Sequence, residues 1–317
     1  MQRLIAVDWG TSSLRAALLD EDGMPLEEHA SSDGILSVAP GGFAAVLRGA
    51  CERWVTGGDG DRPLILMSGM VGSRQGWREA VYCPCPAGFG DVARNLAWIE
   101  GGAGAAGMER VAIVPGLSCE HGHIADQLHG RGVPDVMRGE ETQVFGALGL
   151  LGIDSGLCVL PGTHSKWVRV RAGRIEGFHT YMTGEFYALL RRHSILARSL
   201  PDVEVDLDEE AFTQGVARAR GGRSLLQTAF SVRTLALFER LPANALAAYL
   251  SGLVIGEELR AQALANRGEP VILIGAPELT LRYELALNGS GLASRRIGPE
   301  ATWRGLWAVA RQLEIRR

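Results

Sequence analysis

Three short apolar runs open the chain. Residues 5–8 (IAVD) are apolar until they close on a carboxylate, residues 14–20 (LRAALLD) form a second run, and residues 25–30 a third. Gly10-Thr11-Ser12-Ser13 separates the first two, and the turn signal Asp22-Gly23 the next two. Runs of this length bounded by turn residues predict a meander of strands. The device returns about half a chain later. Residues 157–160 (LCVL) predict a strand ending in Gly162-Thr163-His164-Ser165. Residues 166–171 then alternate basic positions outward with apolar positions inward, Ala172-Gly173 turns, and residues 174–182 return. A repeat of strand, G-T-x-S, strand, turn, strand predicts two similar α/β halves, each presenting one Gly-Thr hairpin to a cleft.

Elsewhere the apolar spacing predicts an amphipathic helix over residues 43–55 and a buried strand over 63–67. That strand runs into the glycine-rich SGMVGSRQGW, residues 68–77. Residues 81–87 read as a loop with prolines, and residues 111–114 as a strand. The stripe Val144, Phe145, Leu148 and Leu151 predicts a helix that starts just after Gly139. Helices follow over 182–200, 211–220, 224–238 and 244–266. Residues 202–210 are acidic and read as an exposed stretch. A strand over 270–274 enters Gly275-Ala276-Pro277, followed by helices over 279–288 and 302–313. Strands alternating with helices predict an α/β class. We place the N-terminal half at residues 1–139 and the C-terminal half at 140–317, with the last helix able to return to the N-terminal half.

Composition narrows the function. At 317 residues, 46% hydrophobic and 21% charged, the chain has the profile of a soluble globular enzyme large enough for two domains. A net charge of −4 argues against a broad nucleic-acid or membrane footprint. No apolar run reaches the length of a membrane span, and Asp8 interrupts the first run too early for a signal-peptide core. The five cysteines, Cys51, Cys83, Cys85, Cys119 and Cys158, are odd in number and scattered, so reduced thiols in the cytoplasm are expected. Cys83, Cys85, Cys119, His121 and His123 match no common zinc spacing, and loop and surface roles are the favoured reading. No G-x-G-x-x-G follows the first strand, so dinucleotide binding has no support.

Gly-Thr hairpins suit phosphate, because glycine lets the backbone approach and successive N–H groups with hydroxyls form a concave donor set. Asp8 repels phosphate directly. It either caps the turn at Thr11 or Ser12 or meets a polyphosphate through Mg2+, which takes oxygen ligands and retains waters. Glu140 and Glu141 sit in the first turn of a helix. They either complement its dipole or one of them accepts a proton from a substrate hydroxyl. Gln75 and Trp77 lie in the same loop as Arg74. Lys166 is expected at an exposed strand position, and His164 to stabilise its turn.

The segments VDWGTSSLRA, GMVGSRQGW, MRGEETQVFGA, LPGTHSKWV, MTGE and IGAPELTLRY, in this order along the chain, resemble the superfamily of sugar kinases, actin and heat-shock-chaperone ATPases. Within it they resemble the 2-dehydro-3-deoxygalactonokinases. The resemblance implies an α/β fold of two ribonuclease-H-like halves around an ATP cleft. It implies ATP-dependent phosphorylation of the sugar acid 2-dehydro-3-deoxy-D-galactonate on its 6-hydroxyl, in galactonate breakdown. Asp8 would hold Mg2+ mainly through water. Gly10, Thr11 and Ser12 would meet the terminal phosphates of ATP, with Gly162 and Thr163 on their other side. Gly275 and Ala276 would lie against the adenosine. The implied substrate is a carboxylate, for which Arg74 is the first choice and Arg138 the second, since a guanidinium donates two parallel hydrogen bonds; a surface ion pair is the ordinary alternative. Trp77 would pack on the sugar, with a core or loop-packing role as the alternative. Relatives commonly place an aspartate base at the start of the helix before the second hairpin, where this chain has Glu140 and Glu141. Two alternatives stand beside this reading: a kinase of the same fold acting on another sugar acid or hexose, and a nucleotide-switched binding protein. A homodimer is the default assembly.

Overall fold

The computed structural model describes residues 3–55, 63–104, 107–121, 132–203, 206–262 and 268–314. The chain divides into two compact units. The first holds Met1–Gly156, Val168–His179 and Pro299–Arg317, and the second Leu157–Trp167 and Thr180–Gly298.

The first unit is built on a six-stranded sheet. Its order is Pro25–Ser31, Leu14–Leu19, Leu4–Trp9, Leu64–Ser68, Val111–Ile113 and Ala97–Trp98. Leu4–Trp9 pairs antiparallel with Leu14–Leu19, which sets Asp8 opposite Arg15, and parallel with Leu64–Ser68, which sets Asp8 opposite Ser68. Ile5, Val7 and Trp9 share one core with Leu47, Cys51 and Trp54 of the helix Phe43–Val55, so the apolar face of the sheet and the apolar stripe of the helix bury each other. The helix Glu300–Glu314 packs on the helix Glu140–Leu151 at a very short separation. A Cβ on Gly146 would lie 1.7 Å from the Ala301 carbonyl oxygen, and one on Gly305 would lie 1.8 Å from that of Thr142.

Cys83–Pro84, inside the stretch predicted as a loop over residues 81–87, is instead the edge of a small second sheet in this unit, ordered Val133–Met137, Leu117–His121, Cys83–Pro84. Val133 and Pro134 are exposed, so no buried period marks the strand in the sequence. His123 and the side chain of His121 lie outside the described residues, and among those described no group of three or more His, Cys, Asp or Glu side chains could hold a metal.

In the second unit, Gly156–Leu160 and Val271–Ile274 are parallel neighbours, and Val271–Ile274 pairs parallel with Ser294–Ile297. Ser165, Lys166 and Trp167, the part of the strand Ser165–Arg171 that belongs to this unit, follow Gly156–Leu160 through the second hairpin. The helix Ala243–Ala261 runs through the centre of this core and is buried around most of its circumference. It meets Glu209–Arg220 closely: a Cβ on Gly252 would lie 2.0 Å from the Phe212 carbonyl oxygen. The helix predicted over residues 182–200 is shorter. Thr183–His193 ends at Ser194, whose extended backbone and side chain, accepting from the Leu196 N–H at 3.0 Å, start a separate 3-10 turn over Ile195–Ser199. The helix predicted over 224–238 is likewise two pieces, Leu225–Thr228 and Phe230–Leu237. Residues 263–267, the end of the helix predicted over 244–266, lie outside the described residues. Among the described residues no helix is long and apolar enough to cross a membrane.

Candidate active site

The first unit gathers its chemistry at the tip of Leu4–Trp9. The Gly10 N–H donates to the Ser13 carbonyl at 2.9 Å and closes the hairpin. The Ile35 and Leu36 N–H groups donate to the carbonyls of Gly10 and Thr11 at 3.0 and 3.2 Å and hold it from behind. Thr11, Ser12 and Ser13 remain exposed. The Asp8 carboxylate accepts from Arg15 Nη2 at 2.5 Å. Gly69, at φ +91°, lies against the same tip: a Cβ there would sit 2.8 Å from the Trp9 carbonyl oxygen and 3.4 Å from Asp8 Oδ1. Gly139, at φ +103°, in turn lies against Gly69, since its Cβ would be 3.2 Å from the Gly69 Cα. Both positions need a left-handed backbone, which a side chain resists. The structure therefore brings Asp8, the start of the glycine-rich loop and the residue before Glu140 into one place.

Glu140 and Glu141 have different surroundings. Glu140 is half-buried, and its Oε2 accepts from the Arg138 N–H at 2.9 Å. Glu141 is fully buried, and both of its oxygens accept from the Gly139 N–H, at 3.0 and 2.8 Å. Burial, and next the charge of Glu140, push the Glu141 carboxyl up to about 8. Thr142 Oγ1 donates to the Gly139 carbonyl at 2.6 Å, so the first turn is pinned on both sides of that glycine.

The two candidate arginines also separate. Arg74 is 87% exposed and pairs with Glu79 at 3.0 Å; Gln75 beside it is exposed. Arg138 lies over the Tyr82 ring at 4.3 Å and donates from Nη2 to the Ala80 carbonyl at 2.7 Å. Its Nε and Nη1 are buried and have no hydrogen-bond partner among the described residues. Such groups are rare in folded proteins and point to a ligand or an ordered water. Trp77 stacks on Phe43 with ring centroids 6.2 Å apart, so its ring is engaged in the core.

In the second unit a cavity of about 520 Å³ is lined by Pro161, Gly162, Thr183, Gly184, Ala276 and Tyr283, with Arg191, Glu278 and Arg282 among its polar groups. The N-terminus of the helix Thr183–His193 is docked on the second hairpin. The Glu185 N–H donates to the Thr163 carbonyl at 3.0 Å, His164 Nε2 meets Glu185 Oε2 at 2.6 Å, and a Cβ on Gly184 would lie 2.5 Å from the Gly162 carbonyl oxygen. Gly275, at φ +140°, turns the chain out of Val271–Ile274 with its N–H on the Ile297 carbonyl, and Ala276 caps the helix Pro277–Asn288. Gly162 and Ala276 thus face one cavity from the two ends of the unit's sequence.

Lys166 is not exposed as predicted. It is 6% exposed, and its Nζ donates to Thr180 Oγ1 at 2.7 Å, because the neighbouring strand offers a hydroxyl inside. Glu258, which the sequence pattern did not single out, is the most heavily bonded carboxylate of this unit among the described residues. It is 2% exposed and accepts from Ser165 Oγ at 2.7 Å, Trp167 Nε1 at 2.5 Å, Tyr283 OH at 2.7 Å and Thr183 Oγ1. One signal was available: two adjacent carboxylates, Glu257 and Glu258, following the apolar run LVIG.

The profile of the family described as 2-keto-3-deoxy-galactonokinase matches residues 8–309. A Rhizobium meliloti (strain 1021) protein named as a probable 2-dehydro-3-deoxygalactonokinase is 40% identical over 314 residues, covering 97% of this chain and 96% of its own. The Escherichia coli (strain K12) 2-dehydro-3-deoxygalactonokinase is 35% identical over 290 residues, covering 91% and 90%. A crystal structure from Sinorhizobium meliloti, assigned as a 2-dehydro-3-deoxygalactonokinase, superposes with a TM-score of 0.83 at 39% identity over 98% of this chain and 99% of that one. Component A of the Acidaminococcus fermentans (R)-2-hydroxyglutaryl-CoA dehydratase, at 11% identity and a TM-score of 0.52 over 98% and 96%, shares the fold alone. The fold is α/β, of the actin-like ATPase type. The chain belongs to the 2-keto-3-deoxy-galactonokinase family and is a carbohydrate kinase.

Proposed function

We propose that the protein transfers the γ-phosphoryl group of ATP to the 6-hydroxyl of 2-dehydro-3-deoxy-D-galactonate, giving 2-dehydro-3-deoxy-6-phospho-D-galactonate and ADP in galactonate catabolism. The observation that carries the reading is the acidic pair at the helix start beside Arg138, whose two buried donors lack partners. A sugar acid brings both groups such a site needs: a hydroxyl to deprotonate and a carboxylate to accept from the guanidinium.

In this reading the first unit handles the acceptor and the second the nucleotide. Arg138 Nη1 takes the acceptor carboxylate in place of Arg74, which solvent and Glu79 already occupy. Glu140 accepts the proton of the 6-hydroxyl as the new O6–P bond forms and the bond from phosphorus to the ADP oxygen breaks. Glu140 retains exposed surface, whereas Glu141 has none and serves as the cap of its helix. Gly10, Thr11 and Ser12 offer N–H and hydroxyl groups to the terminal phosphates, as do Gly162 and Thr163; Gly275 and Ala276 wall the adenosine.

Asp8 fits Mg2+ of the kind that binds through one carboxylate plus waters and phosphate oxygens, because a single carboxylate stands at the hairpin tip with Ser68 Oγ buried and unpartnered beside it in register. Mg2+ there would neutralise charge on the phosphates. Arg15 holds the Asp8 carboxylate at the tip. All five cysteines are free, which fits a cytoplasmic setting.

Coupled ADP release with ATP, Mg2+ and a panel of sugar acids and hexoses tests the reading. Stimulation by 2-dehydro-3-deoxygalactonate above its gluconate epimer and galactonate is expected. Stimulation by another acid or a hexose alone would move the acceptor. Bound nucleotide without stimulation by any of them would replace the kinase reading with a nucleotide-switched binding protein.

A further inference from the structure

We propose that Glu258 is the positioning residue of the nucleotide site: a buried carboxylate that sets the phosphate hairpin and two walls of the cavity in one geometry. This rests on the reading that the cavity of the second unit takes ATP. Glu258 lies on the central helix Ala243–Ala261, and its four partners come from three other elements. Ser165 ends the hairpin that begins at Gly162, and Trp167 follows it on the same strand. Thr183 is the first residue of the helix docked on that hairpin, and Tyr283 lies on the helix that Ala276 caps. Thr183 and Tyr283 line the cavity; Ser165 and Trp167 do not. The carboxylate therefore couples residues that can touch a nucleotide to residues that cannot.

The donor set explains why a charged group sits there. An indole N–H only donates, so Glu258 Oε1 must accept from Trp167, and it also takes Ser165. Oε2 takes Thr183 and Tyr283. A buried carboxylate with four donors is satisfied on both oxygens, where a partly bonded one would cost the fold heavily. Burial pushes its carboxyl upward while the four donors pull it back down. Glutamine keeps one acceptor for Trp167 and Ser165 but presents an NH2 group to Thr183 and Tyr283. Both hydroxyls must then turn to accept, on the cavity side of the network.

The test compares Glu258→Gln and Trp167→Phe with the unsubstituted protein. Calorimetry gives the Kd for ATP, thermal unfolding gives the ligand-free Tm, and steady-state kinetics give the KM for the sugar acid. Hydrogen bonds to charged groups set the scale: ATP binding weaker by about tenfold is expected in Glu258→Gln, and by a few-fold in Trp167→Phe. The KM for the sugar acid should stay within about twofold. A merely structural role would lower Tm and leave the Kd for ATP of the folded protein unchanged, and that result overturns the proposal. If Glu258→Gln does not fold, Trp167→Phe decides, since it touches the network without touching the cavity. Absence of ATP binding by the unsubstituted protein would sink the reading of the cavity itself, and this inference with it.

Discussion

Glu141 turns both oxygens of its carboxylate back onto the N–H of Gly139, while Glu140, one residue earlier, keeps part of its surface exposed. Adjacent identical residues therefore have different surroundings. Glu140→Gln is expected to lower kcat by about 10²- to 10⁴-fold, the usual worth of a general base, with the Kd for ATP unaltered. Glu141→Gln should retain the larger share of turnover. Single-turnover rates on both variants decide it: the reverse ranking would transfer the proton to Glu141.

The buried carboxyl also makes stability depend on pH. Its folded value of about 8 lies above the ordinary 4.5, so between these the folded state holds the proton more tightly than the unfolded chain. The associated stability is fully present below pH 4.5 and is lost as pH rises through about 8. Tm of the unsubstituted protein should carry a component that falls over this window, and Glu141→Gln should flatten it. Parallel Tm profiles for the two proteins would contradict the assignment.

Arg138→Ala is expected to raise the KM for the sugar acid by about tenfold or more, because a charge-assisted hydrogen bond to the carboxylate is lost from a desolvated site. Arg138→Lys should recover little, since an ammonium lacks the planar guanidinium that reaches the Ala80 carbonyl and the acceptor carboxylate together. Arg74→Ala should change that KM by less than about twofold, as expected for an exposed ion pair. Initial-rate kinetics at saturating ATP compare the three.

Gly184→Ala tests the docking of the helix on the second hairpin. The added methyl meets the Gly162 carbonyl at 2.5 Å, so the hairpin or the helix must shift. ATP affinity should fall while the KM for the sugar acid holds. A Kd for ATP equal to that of the unsubstituted protein would show that this contact does not matter for the nucleotide.

The architecture was legible where local chemistry and burial agree. Leu4–Trp9, Gly156–Leu160 and Val271–Ile274 are apolar runs ending at or near glycine, and each is a strand. The two Gly-Thr hairpins and the acidic pair stand out by composition alone. What the pattern hides is set by partners far along the chain. Lys166 reads as an outward position, yet Thr180 on the returning strand accepts from it inside. Glu258 reads as one of two adjacent surface carboxylates, because its partners lie 25 to 93 residues away. Arg74 and Arg138 carry the same group, and only Glu79 beside one and Tyr82 and Ala80 beside the other distinguish them. Ser194 ends a helix by capping the turn after it, a choice that the apolar spacing over 182–200 does not show.

The close crossing at Gly146 and Gly305 bears on how the protein is made. The helix that begins at Glu140 has its small-residue face covered by Glu300–Glu314, and Pro299–Arg317 belongs to the first unit. A ribosome delivers the N-terminus first, so the first unit to be translated is the last to be finished. A nascent chain stopped before residue 299 has the acidic pair but not the surface that seats its helix. The whole of the second unit must therefore emerge before the helix bearing Glu140 has its cover.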